Sequence, residues 1–241
     1  MERLGYEFPQ PLADLHDRIS GHEGWKVEYF PVRRHHGIVP GFGYTFTYFN
    51  AKIVLIFFNP EFNNEKFQMA TVAHELMHNY INIVLGFPGF RFQIREGVDR
   101  EVAIKVRTAI KSLVEHPRLD KELRKQKISQ RILQKPLFDY LFSAYSESVR
   151  LPGKRTLIYK GLQLTAANLY YFANAPQRQT IMRCRKGALP KLRKEGRECV
   201  RIMEQHKNCL TNETCRAASE EILDLLGLNK YLEIKAGFTN E

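Results

Sequence analysis

The chain has 241 residues, 44% hydrophobic and 26% charged, with 15 Gly and 11 Pro. That balance excludes collagen, coiled-coil and wholly disordered chains, and suits one domain, or a compact domain with an appendage, able to bury a real core. The net charge of +11 is unevenly placed: residues 1–115 hold 13 Lys and Arg against 13 Asp and Glu, whereas residues 116–241 hold 24 against 13 and all four cysteines. A module boundary is therefore expected there, giving 1–115 and 116–241. No apolar stretch approaches the roughly 18 to 20 residues that cross a bilayer, the densest being Ile53 to Phe58. The first ten residues also lack a signal-peptide apolar region, so the expected location is cytoplasmic, or outside the cell by a non-classical route.

In chain order, His35-His36-Gly37 and Pro40-Gly41-Phe42-Gly43 suggest loop, and the first 40 residues carry no firmer assignment. Gly43 to Phe58 reads as a β-hairpin: Tyr44, Phe46, Tyr48 and the run Ile53 to Phe58 are aromatic or aliphatic, interrupted by Asn50-Ala51-Lys52, and Asn59-Pro60 ends the second strand. Asn64 to Leu85 fits a helix, with Asn64 as cap and Glu65 in the first turn. Met69, Val72, Ala73, Leu76, Tyr80, Ile83 and Val84 make one apolar stripe. A second stripe (Phe67, Thr71, His74, His78, Ile81, Leu85) lies about 140° away at 100° per residue. This helix is expected to be covered on both sides. Gly86 to Gly89 stops it, Phe90 to Ile94 alternates as an extended segment, and Glu96 to Glu115 is helical. Beyond residue 116 only helices are expected, at 119–133, 137–149, 162–173, 189–207 and 211–228, with prolines and glycines between them. The expected class is α+β and mostly helical, with a small N-terminal sheet, an active-site helix and a helical C-terminal module.

His74-Glu75-Leu76-Met77-His78 is an HExxH sequence inside a segment read as helix on independent grounds. Residues i and i+4 share a helix face, so two imidazoles can converge on one ion at about 2.0–2.1 Å from each nitrogen. Glu75 stands one residue around, where a carboxylate can take a proton and pass it on. A structural histidine pair on a buried helix is the plain alternative. Zn2+ is the expected cofactor. A catalytic zinc needs a third protein ligand, and Glu96, at the start of the next helix after a reversing turn and an extended return, is the choice, with Asp99, Glu101, Glu115 and Glu147 competing. An acidic residue also favours a helix N-terminus through the dipole alone. Asp99 is the expected partner of a ligand histidine's second ring N–H.

HELMH, then seventeen residues, then Glu96-Gly97, preceded by FRFQIR, resembles the gluzincin metallopeptidases over roughly residues 43–110. The resemblance implies a zincin-like catalytic subdomain with His74, His78 and Glu96 as zinc ligands and Glu75 as general base. It also implies that Ile53 to Phe58 is similar to the edge strand on which such enzymes lay an extended substrate. The GAMEN-type sequence of the aminopeptidase members has no counterpart here, so an endopeptidase is implied. Asp99 stands where a small residue is usual and Gln93 where tryptophan is. For the oxyanion-stabilising group, Tyr140, Tyr145, Tyr170, Tyr171 and His206 stay open.

From Arg118 to Lys207 there are 21 Lys and Arg against 7 Asp and Glu. Such a field draws acidic partners, an acidic protein or peptide substrate, nucleic acid or an anionic membrane surface, and its plain alternative is a set of solvated helix faces. Aromatic residues do not alternate with the basic clusters, so nucleic acid is the minor expectation. Two other readings stand beside the peptidase. One is a zincin-derived binding or regulatory protein whose basic helices hold an anionic partner without proteolysis; the other is zinc-dependent hydrolysis of a different amide. Cys184, Cys199, Cys209 and Cys215 contain no CxxC, and free thiols are expected although Cys199 and Cys209 share the spacing of a disulfide-linked helical hairpin.

Overall fold

The computed structural model describes residues 2–3, 6–7, 9–31, 43–58, 65–129, 131–146 and 151–237. The expected cap Asn64, the Asn59-Pro60 stop, the His35-His36-Gly37 and Pro40-Gly41-Phe42 loop and the competing ligand Glu147 lie outside those residues. In chain order the elements are β1 (Glu2–Arg3), β2 (Tyr6–Glu7), α1 (Gln10–Ser20), β3 (Lys26–Pro31), β4 (Tyr44–Tyr48), β5 (Ile53–Phe58) and α2 (Glu65–Asn79). They continue with β6 (Phe90–Ile94), α3 (Arg100–Lys125), α4 (Arg131–Ser146), α5 (Leu157–Phe172), α6 (Ala175–Arg183), α7 (Leu189–Gln205), α8 (Asn212–Leu226) and β7 (Leu232–Ala236). The class is α+β and predominantly helical, as expected. No helix among the described residues is long and apolar enough to cross a membrane.

The chain divides into two compact units: residues 1–87, 119–133 and 238–241 in the first, and residues 88–118 and 134–237 in the second. The division is not a single cut, because α3 runs unbroken through residues 118 and 119.

In the first unit β3, β5 and β4 form a sheet in that order. β4 and β5 pair antiparallel, Tyr44 opposite Phe57, as the hairpin pattern expects. β3 pairs with β5 in parallel, Val27 opposite Val54, and this partner from the first 40 residues had no signal in the sequence. The strand expected at the edge, Ile53 to Phe58, is instead the central one, with β3 and β4 at the two edges. β5 alternates in the sheet manner: Val54, Ile56 and Phe58 are buried while Ile53, Leu55 and Phe57 are only half-buried. Helix α2 is covered all round, burying Phe67, Ala70, Val72, Ala73, Leu76 and Met77 together with the polar Gln68, Thr71, Glu75 and Asn79. The helix expected to reach Leu85 changes to a π-turn over Tyr80–Val84, closed by the Leu85 amide on the Tyr80 carbonyl at 3.2 Å. Gly86 then takes φ +60°, a backbone position that glycine occupies without strain.

In the second unit β6 pairs antiparallel with β7, Phe92 opposite Ile234. The extended reading of Phe90 to Ile94 holds, whereas the expectation of helices alone beyond residue 116 does not. β7 is five residues with Glu233 and Lys235 alternating, too short and polar to stand out from its sequence. The helices expected at 96–115 and 119–133 join into the single α3, with Pro117 inside it. Pro176 does not interrupt a helix but starts α6, whose Asn174 accepts from the Gln177 amide while Gln177 answers on the Asn174 amide. α7 packs so closely on α5 that a Cβ at Gly196 would sit 3.0 Å from the Ala167 nitrogen. Cys199, Cys209 and Cys215 are buried and all four cysteines are free. Burial pushes the Cys199 thiol up to about 12, and Cys209 beside it together with burial pushes the Cys215 thiol up as well. These are packing thiols, not reactive ones.

Candidate metal centre

The site begins with α2. His74 and His78, four residues apart, stand on one half-buried face with ring centroids 4.9 Å apart and planes at 77°. Glu75 is on the adjoining, buried face. Burial pushes its carboxyl above the ordinary range, and neighbouring His78 pulls it partway back.

A polar bracket fixes this part of α2 against the sheet. The Asn79 side chain donates to the Thr45 hydroxyl at 2.9 Å and to the Glu75 carbonyl at 2.8 Å, and accepts from the Thr47 hydroxyl at 2.6 Å. One buried amide therefore ties the edge strand β4 to the turn that carries Glu75 and His78. At the head of β4 the backbone approaches α2 closely: a Cβ on Gly43 would lie 2.7 Å from Thr71 Cγ2 and 3.3 Å from Glu75 Cγ. Asn79→Ala removes three hydrogen bonds from this part-buried bracket, with the Thr45 hydroxyl keeping only its bond to the Leu55 carbonyl, so its unfolding free energy in urea is expected to fall by about 1–3 kcal/mol.

The third member of the group is His116. Ligand atoms of His74, His78 and His116 all lie within 4.8 Å of one another. His116 is buried and stands on α3. Its Nδ1 is 2.5 Å from the Ser112 carbonyl and 3.0 Å from the Ser112 hydroxyl. A ring that donates from Nδ1 to a carbonyl carries its lone pair on Nε2, the form a metal ligand needs. Phe172 meets the same ring edge to face, with centroids 4.8 Å apart.

No protein family, curated protein or solved structure matches the chain.

Glu96, expected as the third ligand, is not a member of this group; it is exposed in the turn before α3. Asp99 is exposed too, and its carboxylate accepts from the Val102 amide at 3.2 Å, which is the work of a helix cap. Glu101 is exposed and pairs with Lys105 at 2.7 Å, whereas Glu115 is buried beside His116 with Lys111 at 3.8 Å. Among the oxyanion candidates, Tyr145 is buried and pushed up to about 12 by that burial. Tyr170 lies under Arg178, Tyr171 meets Phe172, Tyr140 is exposed and His206 pairs with Glu221 at 2.9 Å.

The three histidines suit a divalent ion. Nitrogens at 2.0–2.1 Å from one tetrahedral zinc stand about 3.3 Å apart, within the 4.8 Å that spans the three ligand atoms here. Imidazole is a ligand for zinc and its borderline neighbours and a poor one for magnesium or calcium, which favour oxygen. His116 carries no spacing signal relative to HELMH; its only trace in the sequence is Ser112 four residues before it on a helix.

Proposed function

We propose that the chain is a zinc-dependent hydrolase of peptide bonds, with His74, His78 and His116 as zinc ligands and Glu75 as general base. The observation that carries this reading is the meeting of three imidazoles beside a buried glutamate on the HExxH helix. When bound, zinc supplies Lewis acidity and lowers the pKa of a water to about 7. Glu75 takes a proton and returns it to the leaving amine; its burial raises its basicity toward the range in which that transfer works at neutral pH. Asn79, through Thr45 and Thr47, keeps β4 in register with the helix turn that holds Glu75.

The ligand set parts from the gluzincin pattern. Three neutral imidazoles leave both ionic charges of zinc uncompensated, where two histidines and a carboxylate leave one, and the three-histidine set is the more electrophilic. Among the described residues β4 is one of the two edges of its sheet, and an extended peptide is placed along it by β-augmentation. Purified protein is expected to hold close to one zinc per chain by elemental analysis. Phenanthroline should remove the zinc and stop cleavage of an unfolded protein substrate, and added zinc should restore it. A zinc-free preparation that neither binds the ion nor cleaves after its addition overturns the reading.

A further inference from the structure

Several cations of the helical unit are paired: Lys105 with Glu101, Lys135 with Asp139, Arg201 with Glu198, Arg216 with Glu220 and Lys235 with Glu233. A different situation holds from the end of α6 to the outer face of α7. Arg183, Arg185, Lys186, Lys191 and Lys194 are exposed, and no carboxylate partners them among the described ion pairs. Two acids, Glu195 and Glu198, stand among these cations; Glu198 is bonded to Arg201 and also feels Lys194 and Arg197, so the stretch keeps a positive excess.

This basic face is held in place. Arg193 donates to the Met182 carbonyl at 2.7 Å and the Cys184 carbonyl at 3.3 Å, tying the end of α6 to α7. The Arg178 and Arg197 guanidinium carbons lie 5.0 and 6.0 Å from the Tyr170 ring centroid. The aromatic ring within the cluster is thus engaged by two guanidiniums and offers no platform for stacking a base, which disfavours a single-stranded nucleic acid. Along α7, Lys191, Lys194 and Arg197 recur every third residue, a rise of about 4.5 Å each time. Carboxylates three and four residues apart on a helix repeat on the same scale.

We propose that this face, Arg183 to Lys186 together with Lys191, Lys194 and Arg197, docks an acidic helical segment of a polypeptide. The proposal rests on the hydrolase reading only in taking that polypeptide to be the substrate. Arg193 is excluded from the docking set because its guanidinium already closes the end of α6.

The test uses the full chain and a fluorescently labelled helical peptide with glutamates at alternating three- and four-residue spacing, read by anisotropy. A duplex DNA of equal net charge serves as competitor. The peptide should bind in a salt-dependent manner, and the double variant Lys191→Glu, Lys194→Glu should weaken it about tenfold. A second variant, Arg185→Glu with Lys186→Glu, should weaken it similarly. Zinc content and thermal midpoint should be unchanged in both. Absence of peptide binding, equal binding by folded variants, or a duplex that binds about tenfold more tightly than the peptide overturns the proposal. A peptide that binds and is never cleaved supports this face and counts against the hydrolase reading, so the two fail separately.

Discussion

Glu75→Gln is expected to lower peptide hydrolysis by about 10²–10⁴-fold while zinc content stays at the wild-type level. The substitution keeps the shape that packs beside Gly43 and Thr71 and removes only the ability to hold a proton. Its effect on stability has a definite sign. Burial raises the pKa of Glu75 in the folded chain, so the charged form is disfavoured by folding at pH values above the ordinary carboxylate range. A neutral amide relieves that penalty, and the variant should unfold in urea at the wild-type midpoint or above it at neutral pH. Lost activity with retained zinc and undiminished stability is the signature of a general base; a variant that still cleaves at the wild-type rate removes Glu75 from the chemistry.

His116→Ala is expected to weaken zinc binding by more than about 100-fold, since loss of a group that merely orients a ligand already costs 10- to 100-fold. Glu96→Gln, on an exposed turn, should leave affinity unchanged. Competition with a chromogenic zinc chelator measures both. The pair of variants separates the three-histidine site from the two-histidine, one-glutamate set that the resemblance implies. If Glu96→Gln loses zinc and His116→Ala keeps it, the ligand assignment reverses. Because His116 is buried against Phe172, the melting temperature of the zinc-free protein is read alongside, which separates lost packing from lost coordination.

The residues divide cleanly into those whose roles are local and those whose roles are not. The β4–β5 hairpin was legible because alternation and a turn are adjacent in sequence, and α2 was legible because two apolar stripes demand cover on two sides. β3 was not, since a parallel partner needs a crossover and announces nothing in its own six residues. β7 was missed for a similar reason: it is stabilised by β6, more than a hundred residues earlier. Charge and cysteine content suggested a boundary near residue 116, yet α3 continues through that point and through Pro117, because tertiary packing can hold a helix across one missing amide. Asp99 accepts from the Val102 amide and Glu96 stands exposed in the turn before α3, positions where acidic side chains gather for the dipole and the orphan amides.

Spacing alone gives the HExxH pair and the glutamate beside it, because a four-residue interval on one helix brings its own side chains together whatever the rest of the chain does. The sequence also puts the excess charge in the second half. Folding in three dimensions is what adds His116 to the group of His74 and His78, makes β5 the central strand, and pairs cations with carboxylates among the described residues. Those facts depend on contacts between residues far apart in the chain, and side-chain spacing within one element carries no information about them.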